Sequence, residues 1–173
     1  MEIQNVVCCG EFSCMLDLEK LVKVFHIPMN PKFPGLTIRH PAKVTAVLFG
    51  TGKFICLGAK SYEIVQLVMK DVCHNIRKAG FAQASIKKCS VTNVVASGDI
   101  GFTINLEKLW MQNSENAMLE RELFPGLHLT TKNGLFVIFH SGKFYVTGVK
   151  DITKLDSLWE FIVPILCASK SVQ

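Results

Sequence analysis

The chain has 173 residues, of which 49% are hydrophobic and 19% are charged, and this composition supplies a real core and argues against disorder. It has no run of roughly 18 uninterrupted apolar residues and begins without a charged-then-apolar signal, so we expect neither a membrane span nor secretion. The net charge of +5 permits a polyanionic partner, but a charge of this size does not by itself indicate nucleic acid.

The residue types that usually carry chemistry show no catalytic or metal-binding pattern. Seven cysteines form no Cys-x-x-Cys pair, and their odd number argues against a closed disulfide framework, so we interpret them as reduced core residues. The five histidines follow no ligand spacing, no glycine-rich phosphate loop opens a helix, and no nucleophile lies beside an evident base. We therefore expect no catalytic residue, no metal and no cofactor.

The first half of the chain predicts a strand, a short helix, three strands and a longer helix. Asp17 lies where a helix N-cap belongs, and Leu18–Leu21 after it supplies an acid in the first turn and apolar residues at helical spacing. From Gly35 to Lys60 apolar residues follow a period of two, which predicts three strands. Ser61 then caps the longer helix, and Gly80 closes it.

The second half predicts the same elements in the same order. Asn105 caps a second short helix, residues 126–150 predict three strands, and Asp151 caps a last helix that Pro164 should bend or end early. Several segments recur in order: Asn5–Val7 as Asn93–Val95, Phe33–Leu36 as Phe124–Leu127, and Gly52–Phe54 as Gly142–Phe144. We expect two pseudo-symmetric repeats, 1–85 and 86–173, that share one continuous sheet.

The predicted strands are apolar on both faces, whereas a sheet with one wet face alternates apolar and polar residues. Val47 and Ile55 share one face, while Leu48 and Phe54 share the other. Four helices suffice to cover only one face of so wide a sheet. The second face is then either a partner-binding surface or is covered by something outside this chain. The alternative is that helices lie on both faces.

In order and in duplicate, these segments resemble the TATA-binding protein family over residues 3–168. The residues that carry the resemblance are Asn5–Val7, Asn30–Lys32, Gly52–Lys60, Asn93–Val95, Glu122–Leu127 and Gly142–Lys150. The resemblance implies an α+β fold, a ten-stranded antiparallel saddle with four helices on its convex face. It also implies that the concave face enters the minor groove of A/T-rich DNA, bends it and nucleates transcription initiation.

The resemblance also assigns roles to individual residues. The aromatic wedges that enter base steps are Phe33, Phe49, Phe124 and Phe139. The minor-groove contacts are Asn5, Val7, Val47, Ile55, Leu57, Asn93, Val95, Val137, Tyr145 and Thr147, of which the asparagines donate to base acceptors. The phosphate contacts are Arg39, Lys53, Lys60, Lys143 and Lys150. Glu120, Glu122 and Leu123 match the docking site for a transcription factor IIB-like partner.

Some positions depart from the family pattern. Leu57 stands where the family has threonine, while Thr147 is retained, and Tyr145 replaces a small aliphatic residue. We therefore expect a relaxed or shifted preference at the centre of the DNA element. Asp71 and His74 stand where basic residues are expected in the long helix, which argues against a factor IIA-like partner there.

The rival hypothesis is a related scaffold that has lost DNA bending, because Leu57 and Tyr145 block the groove, and that recruits the factor IIB-like partner. An exposed apolar face would also favour a homodimer in the absence of DNA. Either function places the protein in the nucleus, or at the site of viral transcription if the protein is viral.

Overall fold

The computed structural model describes residues 1–171, which form four α-helices and nine β-strands. The elements are β1 (Glu2–Phe12), α1 (Leu18–Phe25), β2 (Gly35–His40), β3 (Val44–Phe49), β4 (Lys53–Ala59), α2 (Tyr62–Lys78), β5 (Ile86–Asp99), α3 (Leu106–Gln112), β6 (Ala117–Leu119), β7 (Gly126–Thr131), β8 (Gly134–Phe139), β9 (Lys143–Val149) and α4 (Leu155–Ala168). The strands follow the order β2-β3-β4-β1-β5-β9-β8-β7-β6 in one antiparallel sheet. The α+β class and the four helices are as predicted.

One predicted strand is missing from the residues that the structure describes. The short strand β6 in the second half pairs with β7, joining Leu119 to Leu127. In the corresponding stretch of the first half, His26 adopts a left-handed conformation with φ 52° as it ends α1. Pro28 follows two residues later and has no N–H to give to a strand ladder. The sheet therefore has nine strands and not ten.

The chain divides into two compact units. The N-terminal unit is Asn5–Thr92, and the C-terminal unit is Met1–Gln4 with residues 93–171. The predicted boundary lies at residue 85, whereas the boundary in the structure falls within β5. Two hydrogen bonds lie on either side of this boundary: Thr92 Oγ1 donates to the Val7 carbonyl at 3.2 Å, and Gln4 Nε2 donates to Ser97 Oγ at 2.9 Å. Each of these bonds joins β1 to β5 within a single unit.

The N-terminal unit has its core between two helices and one face of its strands. The carboxylate of Asp17 accepts from the backbone N–H groups of Glu19 and Lys20, which fixes the start of α1. Ser61 Oγ accepts from the Ile64 N–H at 3.3 Å and starts α2 in the same way. The core side chains of this unit include Val44, Ala46, Leu48, Phe54, Cys56, Val65, Val68, Met69, Val72 and Ile76.

The C-terminal unit repeats this plan with a different last helix. Asn105 Oδ1 accepts from the Lys108 N–H at 3.0 Å and caps α3, as predicted. Asp151 caps a short 3₁₀ turn, Ile152–Lys154, and α4 begins after it without a side-chain cap. Pro164 does not end the helix, because buried residues on both sides of it, Leu158, Ile162 and Leu166 among them, hold the backbone helical.

All seven cysteines are free thiols, and they are not all core residues. Cys8, Cys56 and Cys73 are buried, whereas Cys167 is exposed on α4, contrary to our interpretation of the whole set. Burial raises the pKa of the Cys56 thiol to about 12, so this side chain stays protonated at neutral pH. Within residues 1–171, no cluster of three or more His, Cys, Asp and Glu side chains is arranged to hold a metal ion. The helices of that same stretch are all too short or too polar to span a membrane.

Candidate nucleic-acid interface

In the N-terminal unit, helices cover only one face of the strands. Along β3, Val44, Ala46 and Leu48 are buried, while Thr45 and Val47 on the opposite face are only half-buried. Helices α1 and α2 pack on the buried side, against β2, β3 and β4. We call the other side of the strands, in each unit, the open face. The alternative of helices on both faces does not hold for this unit.

The open face of the N-terminal unit is built from cross-strand rows. The first row joins Thr37 to Val47 and Val47 to Ile55, and it ends at Cys9 on β1. The second row joins Arg39 to Thr45 and Thr45 to Leu57. Leu57 is 36% exposed, so an apolar side chain lies at the surface beside the polar Thr45. The predicted contacts Val47, Ile55 and Leu57 therefore lie on one surface.

The C-terminal unit carries the corresponding rows with different side chains. The first row joins His128, Val137, Tyr145 and Ser97, and the second joins Thr130, Leu135 and Thr147. Val137 is only 1% exposed, although it lies on the open face by register, and its strand neighbours His128 and Tyr145 are larger than their counterparts in the first unit. Its side chain is therefore not available for direct contact in the structure described.

A β-bulge in each unit positions an asparagine. Between Val6 and Cys8, strand β4 places two residues opposite one residue of β1, and Gly58 adopts φ 94° there. The Gly58 N–H then donates to Asn5 Oδ1 at 2.7 Å. In the second unit the register shifts in the same way between Val94 and Ala96, and the Gly148 N–H donates to Asn93 Oδ1 at 2.7 Å. Both amide groups are thereby oriented with their oxygen toward the backbone.

The two asparagines differ in what surrounds their NH₂ groups. Asn93 Nδ2 lies 3.4 Å from Thr147 Oγ1 and donates to it. Leu57 occupies the corresponding place beside Asn5 and has no hydroxyl, so this second bond has no counterpart there. The nearest hydroxyl in the register is that of Thr45, directly across from Leu57. The amide of Asn93 is therefore hydrogen-bonded through both its oxygen and its nitrogen, whereas the amide of Asn5 is hydrogen-bonded through its oxygen.

The four predicted wedges form two ring pairs. Phe33 and Phe49 have ring centroids 6.2 Å apart and tilted by 59°, and Phe124 and Phe139 have centroids 5.9 Å apart and tilted by 56°. In each pair, one ring comes from a loop and the other from the last residue of a strand. The rings at the strand ends are Phe49, whose cross-strand partner is Gly35, and Phe139, whose partner is Gly126. Phe33 is 38% exposed.

Gly35 and Gly126 give these rings their space, a role that the sequence analysis missed. A Cβ on Gly35 would lie 2.9 Å from the Phe33 ring, 3.0 Å from Val47 and 3.1 Å from the Phe49 ring. A Cβ on Gly126 would lie 2.7 Å from the Phe124 ring. The recurrence of Phe-Pro-Gly in both halves was the available signal, since a glycine beside a ring often marks a close approach.

We predict that Gly35→Ala displaces the first ring pair. The added methyl group overpacks a site with contacts near 3.0 Å, which costs about 1–3 kcal/mol of folding stability and moves Phe33 or Phe49. Chemical unfolding and ring-proton chemical shifts measure the two effects. Gly50→Ala is the matched control in the same unit, because its Cβ would meet only the Leu16 carbonyl at 3.5 Å. Equal behaviour of the two variants would contradict this role.

The predicted phosphate contacts are exposed cations near the open face. Lys53 begins β4 and Lys143 begins β9, so the two lysines occupy corresponding positions in the two repeats. Arg39, Lys60 and Lys150 are also exposed. In α2, Asp71 accepts from or pairs with His40 Nε2 at 3.2 Å, so this departure from the basic pattern has a local partner.

The residues of the proposed partner site border a shallow cavity in the C-terminal unit. Glu120 and Glu122 are exposed, and Leu123 is 81% exposed. The cavity measures about 540 Å³ and also contains Trp110, which is 40% exposed and was not predicted. Arg121 Nη1 pairs with Glu107 Oε1 at 3.1 Å across it.

Comparisons with known proteins identify the family. The family model described as "Transcription factor TFIID (or TATA-binding protein, TBP)" matches residues 1–79 and 88–168. The chain is 36% identical over 177 residues to TATA-box-binding protein 2 of Arabidopsis thaliana, covering 99% of this chain and 88% of that one. It is 34% identical over 170 residues to the TATA-box-binding protein of Acetabularia peniculus, covering 95% and 88%.

A solved structure agrees with these sequence matches. The TBP of Methanococcus jannaschii superimposes with a TM-score of 0.83 at 29% identity, covering 96% of this chain and 97% of that one. The family comprises non-enzymatic, DNA-binding transcription factors, and this agrees with the absence of a catalytic pattern in the sequence. The chain belongs to the TATA-binding protein family.

Proposed function

We propose that this protein binds A/T-rich duplex DNA through the minor groove and bends it by inserting four phenylalanines at two base steps. In this function it nucleates the transcription initiation complex in the nucleus. The observation that supports the proposal most strongly is the duplicated amide geometry. Asn5 and Asn93 each accept a 2.7 Å hydrogen bond at Oδ1 from a glycine N–H, on the face without helices.

This geometry suits the chemistry of the groove. In the minor groove A·T pairs present only acceptors, adenine N3 and thymine O2. An amide that could turn freely would offer oxygen as often as NH₂, but the glycine N–H removes that choice by occupying the oxygen. An NH₂ group has two hydrogens, and Asn93 uses one of them on Thr147, so each asparagine keeps at least one hydrogen to donate toward a ligand. Each repeat supplies one such donor.

The surrounding side chains complete the proposed interface. Four half-buried aliphatic side chains would form an apolar surface against the floor of the DNA minor groove: Val7, Val47, Ile55 and Val95. Minor-groove proteins of this family pay a few kcal/mol for each unstacked step, and the contact area gained on bending offsets that cost. The exposed cations Arg39, Lys53, Lys60, Lys143 and Lys150 would contact phosphates, and each such contact raises the log–log salt slope of binding by about 0.9.

The cavity beside Glu122 is the proposed site for a factor IIB-like partner. Its rim carries two exposed carboxylates, and its walls include the exposed apolar side chains of Leu123 and Trp110. A basic segment with one large apolar anchor would satisfy both features, since such anchors dominate binding energies. This proposal holds in both the DNA-bending and the scaffold hypothesis.

Selection of bound sequences from a random duplex pool tests the proposed function. We expect enrichment of one short A/T-rich element, and binding of the enriched duplex that weakens as salt rises. Failure to enrich any element, with a factor IIB-like protein still bound by the chain, would contradict DNA bending and favour the scaffold hypothesis.

We predict that Leu57→Thr narrows the preference at the centre of the element. The new hydroxyl would accept a hydrogen bond from Asn5 Nδ2, as Thr147 Oγ1 does from Asn93 Nδ2. One such hydrogen bond contributes about 0.5–1.5 kcal/mol. Anisotropy titrations over single-base variants of the enriched duplex measure this change, and Leu67→Thr, at an exposed leucine of α2, is the control. An unchanged profile at the central base pairs would contradict a role for Leu57 in specificity.

A further inference from the structure

The first row of side chains on the open face differs in chemistry between the two units. In the N-terminal unit the row contains Thr37, Val47 and Ile55, and in the C-terminal unit the equivalent positions are His128, Val137 and Tyr145. An aliphatic side chain is thus replaced by a phenol, and a short hydroxyl by an imidazole. The backbone of the row is the same in both units, so the difference lies in chemistry and reach.

The two polar rings of the C-terminal row are held in place. The His128 ring lies 5.0 Å from the Phe124 ring, and the Tyr145 ring lies 6.3 Å from the Phe139 ring. Both flank Val137 directly, as its partners on the neighbouring strands. The rings therefore pack against the wedge pair and form one aromatic cluster, which limits their rotation on binding.

The polar atoms of these rings have no hydrogen-bond partner in the part of the chain that the structure describes. Across residues 1–171, neither the Tyr145 hydroxyl nor a ring nitrogen of His128 makes a hydrogen bond, and both side chains are only half-buried. The cluster offers a ligand two acceptor atoms beside a covered valine.

In the minor groove, one group distinguishes G·C from A·T pairs. Guanine adds an N2 amino donor, which an apolar floor leaves unpaired when the groove is desolvated. That loss makes minor-groove readers of A/T sequences reject G·C pairs. A phenol oxygen and an unprotonated imidazole nitrogen both accept from this amino group, whereas Ile55 at the equivalent position of the first unit accepts nothing.

We propose that the C-terminal unit accommodates a G·C pair, with the guanine N2 amino group donating to Tyr145 Oη and His128 supplying a second acceptor. The inference rests on the proposed function, since it concerns the same interface. The preferred element is then directional: it contains only A·T pairs beneath the Ile55 row and tolerates one G·C pair beneath the Tyr145 row. This asymmetry would orient the protein on its DNA.

Inosine provides the test, because an I·C pair differs from a G·C pair in lacking only the N2 amino group. A single G·C or I·C pair is placed at each position of an A/T-rich duplex, and anisotropy gives the dissociation constant of each duplex. The measured ratio is the dissociation constant for the G·C duplex divided by that for the I·C duplex. In the wild type we expect a ratio near or below one at one position in one half of the element, and about fivefold or more at its mirror position. Because each ratio is taken within one protein, general changes in affinity cancel.

Three variants test which side chains accept from the guanine amino group. Tyr145→Phe keeps the ring and removes the hydroxyl, so the low ratio should rise about fivefold. His128→Phe keeps a ring beside Phe124 and should raise the ratio by a smaller factor. Ile55→Tyr places a phenol in the first unit and should lower the ratio at the mirror position.

The outcomes separate this inference from the proposed function. Binding of the A/T-only duplex with ratios of fivefold or more at every position would overturn the inference and leave the proposed function standing. A low ratio that Tyr145→Phe does not change would overturn it as well. A wild-type protein that fails to bind the A/T-only duplex would overturn both.

Discussion

Phe33→Ala is expected to lower the affinity for the enriched A/T-rich duplex by about 1–3 kcal/mol, or roughly 5- to 150-fold, the usual worth of one aromatic ring against a base. The ring is 38% exposed and contacts Phe49 at 6.2 Å between centroids, so its loss removes little from the core. The free energy of unfolding should therefore change far less than the binding free energy. Anisotropy titration and chemical unfolding of the same preparation measure both.

Phe161→Ala is the matched control for this wedge variant. Phe161 lies on α4 and is 48% exposed, so an equally accessible phenylalanine is removed from a helix and not from the open face. Its DNA affinity should equal that of the wild type. If both variants lose the same affinity, the effect reflects general instability and the wedge assignment is wrong.

Asn93→Asp is expected to weaken DNA binding strongly. The loss of binding free energy should exceed the roughly 1–3 kcal/mol that a buried hydrogen-bonding group without a partner usually costs. The substitution is nearly isosteric and keeps an oxygen that accepts from the Gly148 N–H at 2.7 Å. It replaces the NH₂ donor by a negatively charged oxygen, which would face acceptor atoms of the bases and the phosphates around them. Asn5→Asp should act in the same direction, and anisotropy titration measures both losses.

Asn133→Asp controls for the added charge. Asn133 lies in the turn between β7 and β8, outside the rows of the open face, so it changes the net charge equally without touching the proposed donors. We expect at most a small loss of affinity, of the kind that salt screens. A comparable loss in Asn133→Asp and Asn93→Asp would show that charge, and not the amide donor, governs binding.

Local signals in the sequence predicted most of the fold. The caps of Asp17, Ser61 and Asn105 act on the immediately following residues, so their helices begin where expected. The predictions were wrong where contacts between distant parts of the chain determine the local structure. Helix α4 continues through Pro164 because buried residues on both sides of it hold the backbone helical.

In the candidate site, too, the sequence predicted the local features and missed those that depend on tertiary contacts. The ring pairs and the two asparagines lie on the open faces as the repeated motifs suggested. Period-two alternation also placed Val137 on that face, but it carries no information on side-chain cover, and the structure buries it. The role of Gly58 in orienting Asn5 was not predicted, since it depends on a bulge formed by two strands far apart in sequence.

Fluorescence of 2-aminopurine, placed at each adenine of the enriched duplex in turn, tests the central claim most directly, because this base brightens when it is unstacked. We predict two separate maxima on binding, one lost in Phe33→Ala and the other in Phe124→Ala. A tightly bound duplex in which every 2-aminopurine stays as quenched as in free DNA would contradict insertion of the phenylalanines and the bend that follows from it.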